Sequence, residues 1–113
     1  MSDCLFCNVV SGTTPAEIVY EDDQAIVFKD IYPKADVHLI FIPKKHIGSL
    51  DELDKTHDTL IAHMIRLLPK IARDQGLFNG FRTVINTGPG GGQEVYHLHM
   101  HLLGGRKMNW PPG

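Results

Sequence analysis

The sequence lacks any apolar run close to the roughly 20 residues that a membrane-spanning helix needs. Its first residues, MSDCLFC, have neither the basic region nor the apolar region of a signal peptide. We therefore expect a cytoplasmic protein with no membrane partner. The hydrophobic fraction of 42% and the charged fraction of 21% are those of an ordinary globular domain, which argues against a disordered chain.

Positive charge is not in excess either, since 11 Lys and Arg residues face 13 Asp and Glu residues, for a net charge of −2. Proteins that bind polymeric nucleic acid usually present many basic side chains to its phosphates, so we expect no such partner. A small nucleotide is still compatible with this balance, because a few local donors can hold one phosphate.

Cysteine is scarce, and both copies, Cys4 and Cys7, lie near the N-terminus. In a reducing compartment a Cys-x-x-Cys pair suggests a metal site or simple packing more than a structural disulfide. A four-coordinate metal site would need two further ligands. Two interpretations therefore stay open: half of a metal site, or two small apolar side chains in a short helix.

The apolar pattern predicts one α+β domain spanning residues 1–113, with residues 104–113 as a C-terminal tail. Apolar residues at helical spacing predict a main helix between about Asp54 and Gly76, kinked or broken at Pro69, and residues 4–10 predict a short N-terminal helix. Strands are predicted at residues 17–22, 24–30, 37–43, 81–86 and 95–103. The expected fold is an antiparallel sheet of about five strands with the main helix on one face.

The segment YHLHMHLL (96–103) has a histidine at every second position. Side chains of a strand alternate between faces, so His97, His99 and His101 should share one face while the residues between them face the core. A solvated face has no need of three imidazoles, so this pattern favours a cleft. Neutral imidazole is a nucleophile and a proton carrier at neutral pH, and His99 has a neighbour on each side. We predict His99 as the nucleophile.

A glycine-rich loop, TGPGGGQ (87–93), leads directly into this segment. Glycine lets the backbone approach an anion and offer its N–H groups, and Asn86 and Gln93 add amide donors. The loop has no lysine at the P-loop position, so it predicts a different kind of phosphate pocket. His38, in the strand at 37–43, could face the same cleft or lie at the surface.

Three longer segments, FKDIYPKADVHLIFIPKKHI, NTGPGGGQEVYHLHMHLLGG and MNWPPG, together resemble the histidine triad (HIT) superfamily. The last strand matches its signature His-φ-His-φ-His-φ-φ, where φ is apolar. Within the superfamily, the sequence is most similar to the histidine triad nucleotide-binding proteins that hydrolyse nucleoside phosphoramidates. The resemblance covers nearly the whole chain. It implies a HIT-like fold, a homodimer whose sheets join into one, and a purine nucleoside monophosphate or phosphoramidate as ligand.

The resemblance also implies roles for individual residues. His99 would attack the α-phosphorus to form a nucleotidyl-histidine, which water hydrolyses. His38 and His97 would form a relay that orients His99, and His101 would hold the phosphate, with no catalytic metal required. Asp30 would bind the ribose, and Trp110 would reach towards the partner's site. The residues expected at the nucleotide are Asp30, Ile31, Asn86, Gly92, Gln93, Glu94, His99, Met100, His101 and Trp110.

Two positions need separate treatment. The animal members of the family carry a small hydroxyl side chain where this sequence has Glu94, so only the backbone N–H of that position is carried over. The carboxylate could instead favour a cationic leaving amine. Some bacterial relatives complete a zinc site with the histidine of PKKH and the first triad histidine. The resemblance therefore implies a possible structural zinc held by Cys4, Cys7, His46 and His97, which would compete with any relay role of His97.

Two alternative functions stay open. One is the hydrolysis of dinucleoside polyphosphates, and the other is a nucleotide-binding scaffold whose catalysis is vestigial. The MNWPPG tail and the GGQ loop favour the phosphoramidase branch, and the central histidine favours an enzyme.

Overall fold

Five strands and two α-helices make up most of the regular structure of residues 2–113, the part of the chain that the computed structural model describes. They are α1 (Leu5–Ser11), β1 (Ile18–Glu21), β2 (Ala25–Lys29), β3 (Val37–Pro43), α2 (Asp58–Asp74), β4 (Arg82–Val84) and β5 (Met100–Gly104). The strands form one sheet in the order β1-β2-β3-β5-β4, and every neighbouring pair is antiparallel. The predicted α+β fold is confirmed.

The main core lies between this sheet and α2. Leu39 and Phe41 of the central strand β3 are almost completely buried there, against Met64 and Ile71 of the helix. Apolar residues at helical spacing give α2 the stripe that covers the sheet. This face holds β3 in place, and β3 in turn carries one of the candidate site residues, His38.

A second, smaller core on the opposite face was not expected. Ile40 and Ile42 of β3 alternate with the residues of the main core, and they pack under Phe6 and Val9 of α1. The continuous apolar run of β3 is typical of a strand that is buried on both faces. Here α1 covers part of the face that was predicted to be solvent or a cleft. The N-terminal helix α1 therefore covers part of the face on which the histidines were predicted to lie.

The helix α2 continues through Pro69, so of the predicted kink or break the break is wrong. Proline removes one backbone hydrogen bond, but Leu68 and Ile71 on either side of it are buried on the sheet. Tertiary packing of an apolar stripe outweighs one missing bond. Within residues 2–113 no helix combines the length and the apolar character that a membrane crossing requires.

The last strand is shorter than predicted, because β5 begins at Met100 rather than at Val95. Its partner β3 continues to Pro43, but Ile42 and Pro43 pair with β2 alone and not with the segment before Met100. There the Leu98 N–H donates to the Ile47 carbonyl at 2.6 Å. Of the three alternating histidines, only His101 lies in the strand.

Candidate active site

A pocket of about 340 Å³ opens on the α1 side of the sheet. Its volume is within the range of about 300–1,000 Å³ that small-molecule sites occupy. It is built from α1, from β3, from the loop after β2, from the glycine-rich loop and from the segment that enters β5. The lining residues are Phe6, Asp30, Tyr32, Lys34, His38, Ile40, Asn86, Gly92, Glu94, Val95, His99 and His101.

The ring of His99 has one nitrogen fixed by the backbone. Its Nδ1 lies 2.8 Å from the carbonyl oxygen of His97, which can only accept, so Nδ1 carries the proton. In the neutral ring Nε2 is then the nitrogen with the free lone pair. The side chain is 7% exposed, and its ring packs edge-on against Phe6 and His101 at centroid distances of 5.1 Å. This geometry gives His99 a nucleophilic Nε2 in a fixed ring.

A second chain of hydrogen bonds fixes the tautomers of His38 and His101. The Lys34 N–H donates to His38 Nδ1 at 3.0 Å, so His38 carries its proton on Nε2. That Nε2–H donates to His101 Nδ1 at 2.9 Å, which leaves His101 with its own proton on Nε2. His101 is therefore a hydrogen-bond donor beside His99, as a group that holds a phosphoryl oxygen must be.

Both of these imidazoles are neutral near pH 7. Burial, with the neighbouring His99 and His38, lowers the pKa of His101 to about 4. Burial also lowers the pKa of His38, against the opposing effect of Asp30. A bound phosphate anion beside His101 would favour its charged form and raise that pKa again.

Asp30 is held at the mouth of the pocket by its own loop. Its Oδ1 accepts from the Tyr32 N–H at 2.8 Å, and its Oδ2 lies 3.4 Å from His38 Nε2. Asp30, His38 and His101 are close enough to share a metal ion. The proton that His38 carries on Nε2 points towards the other two groups, so this cluster is arranged for hydrogen bonding and not for a cation.

Gln93 does not offer its amide to the pocket, contrary to the prediction. Its side chain is 6% exposed: Oε1 accepts from the Gly88 N–H, and Nε2 donates to the carbonyls of Gly48 and Val95. The backbone N–H of Gln93 donates to the Gly88 carbonyl. Gln93 therefore fixes the shape of the glycine-rich loop, which sequence spacing alone does not reveal.

The backbone donors of that loop are partly used within it. The Gly92 N–H donates to the Pro89 carbonyl at 3.1 Å, in a turn that places Gly92 at φ +83°. Left-handed backbone of this kind favours glycine. Glu94 lies in the pocket lining with its side chain exposed. Its N–H is the member of the predicted trio Gly92 to Glu94 that no hydrogen bond within residues 2–113 occupies.

His97 points away from the pocket and into a cluster with both cysteines. Its Nε2 donates to the Pro43 carbonyl at 2.8 Å, so Nδ1 is unprotonated in the neutral ring. This Nδ1 lies 3.4 Å from Cys4 Sγ, 3.5 Å from Cys7 Sγ and 3.3 Å from His46 Nδ1. Of the predicted relay of His38 and His97 to His99, His97 contacts His99 through its backbone carbonyl and not through its ring, and the His38 ring bonds to His101.

These four side chains fit a tetrahedral metal ion. With Zn–S of about 2.3 Å and Zn–N of about 2.0 Å, the ligand atoms of such a site lie about 3.3–3.8 Å apart. Cys7 Sγ and His46 Nδ1 are also 3.3 Å apart, and all four ligand atoms lie within 4.8 Å of one another. The Pro43 carbonyl accepts a hydrogen bond from His97 Nε2 and so orients the ring, as the hydrogen-bond partners of zinc-binding histidines commonly do. The donor set suits zinc.

Two further residues predicted at the nucleotide do not line the pocket. The Met100 side chain is buried in the core under α2, because it alternates with His99 and His101. Ile31 is 80% exposed and lies outside the pocket lining. Trp110, predicted to reach the partner's site, is 82% exposed, and that role stays a prediction. Phe6 was not predicted at the site, because its only signal in the sequence is its place between two cysteines in a helical turn. Four other lining residues were also not predicted: Tyr32, Lys34, Ile40 and Val95.

The similarity to known proteins extends over nearly the whole chain. Residues 3–110 match the family described as "Scavenger mRNA decapping enzyme C-term binding". The chain is 50% identical over 111 residues to an uncharacterized HIT-like protein of Synechococcus elongatus, covering 98% of this chain and 97% of that protein. It is 43% identical over 113 residues to the 14 kDa zinc-binding protein of Brassica juncea, covering 98% and 100%. A solved HIT family hydrolase from Legionella pneumophila superposes with a TM-score of 0.96 at 47% identity, covering 98% and 100%.

Proposed function

The chain belongs to the histidine triad superfamily, and on this premise we propose that it hydrolyses the P–N bond of purine nucleoside 5′-phosphoramidates. The products are a nucleoside monophosphate and an amine. The observation that carries the proposal is the fixed His99 ring, with Nδ1 bonded to the His97 carbonyl and the unprotonated Nε2 available in the pocket. The similarity to named HIT family hydrolases supports a hydrolase in general terms.

In the proposed first step, His99 Nε2 attacks the α-phosphorus and the P–N bond breaks. The leaving nitrogen takes a proton from the solvent and departs as the amine, while a covalent nucleotidyl-His99 forms. Its Nδ1–H stays bonded to the His97 carbonyl, which stabilises the positive charge of the substituted ring. Water then attacks phosphorus, releasing the nucleoside monophosphate, restoring His99 and returning a proton to the solvent. Two displacements with a good nucleophile replace one difficult hydrolysis.

The neighbouring residues hold the substrate in this scheme. His101 donates its Nε2–H to a phosphoryl oxygen, because its Nδ1 is occupied by His38. Asn86 and the Glu94 N–H donate to the same group, and Asp30 accepts from the ribose hydroxyls. Glu94 lines the pocket with an exposed side chain, and its carboxylate suits a cationic leaving amine. No catalytic metal is needed, since these donors meet the charge that develops on the phosphoryl oxygens.

One comparison of substrates tests the proposal. We expect adenosine 5′-phosphoramidate to give a kcat/KM at least about 100-fold above that of a diadenosine polyphosphate, a difference of about 2.7 kcal/mol in transition-state stabilisation. The reverse order would favour the dinucleoside polyphosphate hydrolase, whose chemistry also passes through His99. AMP binding without turnover of either substrate would favour a nucleotide-binding scaffold.

Gln93→Ala should weaken AMP binding by about 10-fold, although the side chain does not touch the pocket. The substitution leaves the Gly88 N–H and the Gly48 carbonyl without their buried partner, at a cost of about 1–3 kcal/mol, and loosens the glycine-rich loop. Isothermal titration with AMP measures the effect. Gln24→Ala, in an exposed turn, is the matched control, and equal affinity of both variants would contradict the role given to Gln93.

We propose that Cys4, Cys7, His46 and His97 bind a structural zinc ion. Their spacing and the name of the Brassica juncea relative support this. Burial and the neighbouring Cys4 raise the pKa of Cys7, so binding must displace a thiol proton and should weaken as pH falls. Protein purified without chelator should carry one equivalent of zinc by elemental analysis, and Cys7→Ser should carry less than a tenth of that. Zinc-free wild-type protein would contradict the proposal.

A homodimer that forms through β4 is also proposed. β4 is the last strand in the sheet order and pairs on one side with β5, so its other edge presents backbone donors and acceptors. Phe81, just before it, is 40% exposed, and a cavity of about 950 Å³ lies beside this edge. Pairing of two such edges would join the sheets. Sedimentation at micromolar concentration should give twice the 12.6 kDa mass, and a monomer would contradict the proposal.

A further inference from the structure

The cysteine–histidine cluster and the candidate nucleophile are joined by two direct contacts. The first is backbone: the carbonyl of His97, whose ring belongs to the cluster, accepts the Nδ1–H of His99 at 2.8 Å. The second is a ring contact: Phe6 lies edge-on to His99, with centroids 5.1 Å apart and planes at 85°. Both contacts determine where the His99 ring sits, and the backbone contact also determines which nitrogen carries its proton.

Phe6 lies on the same helical turn as the two cysteines. Cys4 is the N-cap of α1, and its Sγ accepts from the Cys7 N–H at 3.3 Å. Phe6 is 6% exposed, and its ring also contacts the rings of Phe28 and His97. α1 has 7 residues, and a helix of this length is not stable by itself. The position of α1 over the pocket therefore depends on its packing and on the contacts that hold its first turn in place.

The four potential ligands come from three separate segments. Cys4 and Cys7 belong to α1, His46 follows β3, and His97 precedes β5. His46 is exposed, and its side-chain contacts are with Cys7 and His97. It can therefore affect the pocket only through the other members of the cluster. Residues that share one metal ion are held together far more tightly than by packing.

We propose that Cys4, Cys7 and His46, by sharing a metal ion with His97, position His99 for attack from outside the pocket. Two mechanical links carry this effect. Through α1 they hold Phe6 against one side of the His99 ring, and through His97 they fix the carbonyl that binds Nδ1. They are positioning residues, which touch neither substrate nor reacting atoms. The inference rests on the proposed function for its kinetic consequence, but not for its structural one.

The decisive variant is His46→Ala, because it removes a ligand without altering either contact to His99. In ¹⁵N-histidine NMR at fixed pH, zinc-loaded wild-type protein should show His99 with its proton on Nδ1 alone. His46→Ala should show a mixture of the two tautomers. With adenosine 5′-phosphoramidate, kcat should fall about 10- to 100-fold, the usual cost of a misplaced reacting group, while KM changes less than about 3-fold.

Two further samples separate positioning from simple loss of folding. Phe6→Leu, which retains all four ligands, should bind one zinc and still lower kcat, because the ring contact alone is lost. Zinc-stripped wild-type protein should reproduce the His46→Ala spectrum and recover on adding zinc. Phe78→Leu, at a side chain 83% exposed, is the control and should match wild-type protein in every measurement.

The possible outcomes distinguish this inference from the proposed function. An unchanged His99 tautomer and an unchanged kcat in folded His46→Ala protein would overturn the inference and leave the phosphoramidase proposal standing. If wild-type protein does not turn over the phosphoramidate, the function is wrong, and the NMR comparison still decides whether the cluster positions His99. Loss of the wild-type tautomer on zinc removal, restored on zinc addition, supports the inference.

Discussion

His99→Ala should lower the turnover of adenosine 5′-phosphoramidate by about 10⁴-fold or more and change AMP affinity by less than about 3-fold. The reason is that, in the proposed mechanism, His99 supplies the attacking nitrogen, while other groups, including His101 and Asn86, hold the phosphate. The ring is nearly buried, at 7% exposed, but it borders the pocket, so truncation enlarges a solvent-connected space. Steady-state kinetics and calorimetric titration with AMP provide the two numbers.

Rapid acid quenching followed by mass spectrometry gives an independent test of the same residue. Wild-type protein mixed with substrate should carry the mass of one nucleotidyl group on the peptide containing His99, and His99→Ala should carry none. His57→Ala, at the start of α2 and outside the pocket, is the matched control and should keep wild-type kcat. Turnover above a tenth of wild type in His99→Ala would remove this residue from the mechanism.

The bounds of β3 and the residues that face the core could be predicted from local sequence pattern. The strand predicted at residues 37–43 coincides with β3, because a β-branched apolar run ending in proline defines both its length and its end. The alternation of His99 and His101 with Leu98 and Met100 also holds, since Leu98 and Met100 are 3% exposed in the core. Period-two alternation predicts which side of the chain faces the core whether or not the segment pairs with another strand.

Contacts between residues that lie far apart in the sequence could not be predicted from local pattern. The segment before β5 was predicted as a strand, but its pairing with β3 begins only at Met100, opposite Phe41, and Ile42 and Pro43 of β3 pair with β2 alone. The consequence is that the His97 ring packs into the cysteine cluster while His99 faces the pocket. Gln93 likewise carries no local signal for its bonds to Gly48, which lies 45 residues earlier. Such contacts depend on tertiary geometry, which periodicity does not encode.

Phe41→Ala should lower the free energy of unfolding by about 3–5 kcal/mol, the usual cost of truncating a buried aromatic side chain. Phe41 is fully buried at the middle of β3, opposite Val27 of β2 and Met100 of β5, and it contributes to the core under α2. The surrounding strands are hydrogen-bonded on both sides and cannot close the cavity. Urea denaturation followed by circular dichroism measures the loss.

Phe78→Ala is the control for this change, because the same side chain is 83% exposed there and its removal should alter stability by less than about 0.5 kcal/mol. The Phe41 variant also bears on function. His38 lies on β3 with Phe41, yet it faces the pocket and keeps its own hydrogen bonds. Folded Phe41→Ala protein should therefore bind AMP with near wild-type affinity. AMP at 100 times its Kd should then restore about 2.7 kcal/mol of the lost stability. A stability loss below about 1 kcal/mol would show that the sheet does not depend on this core to hold the site.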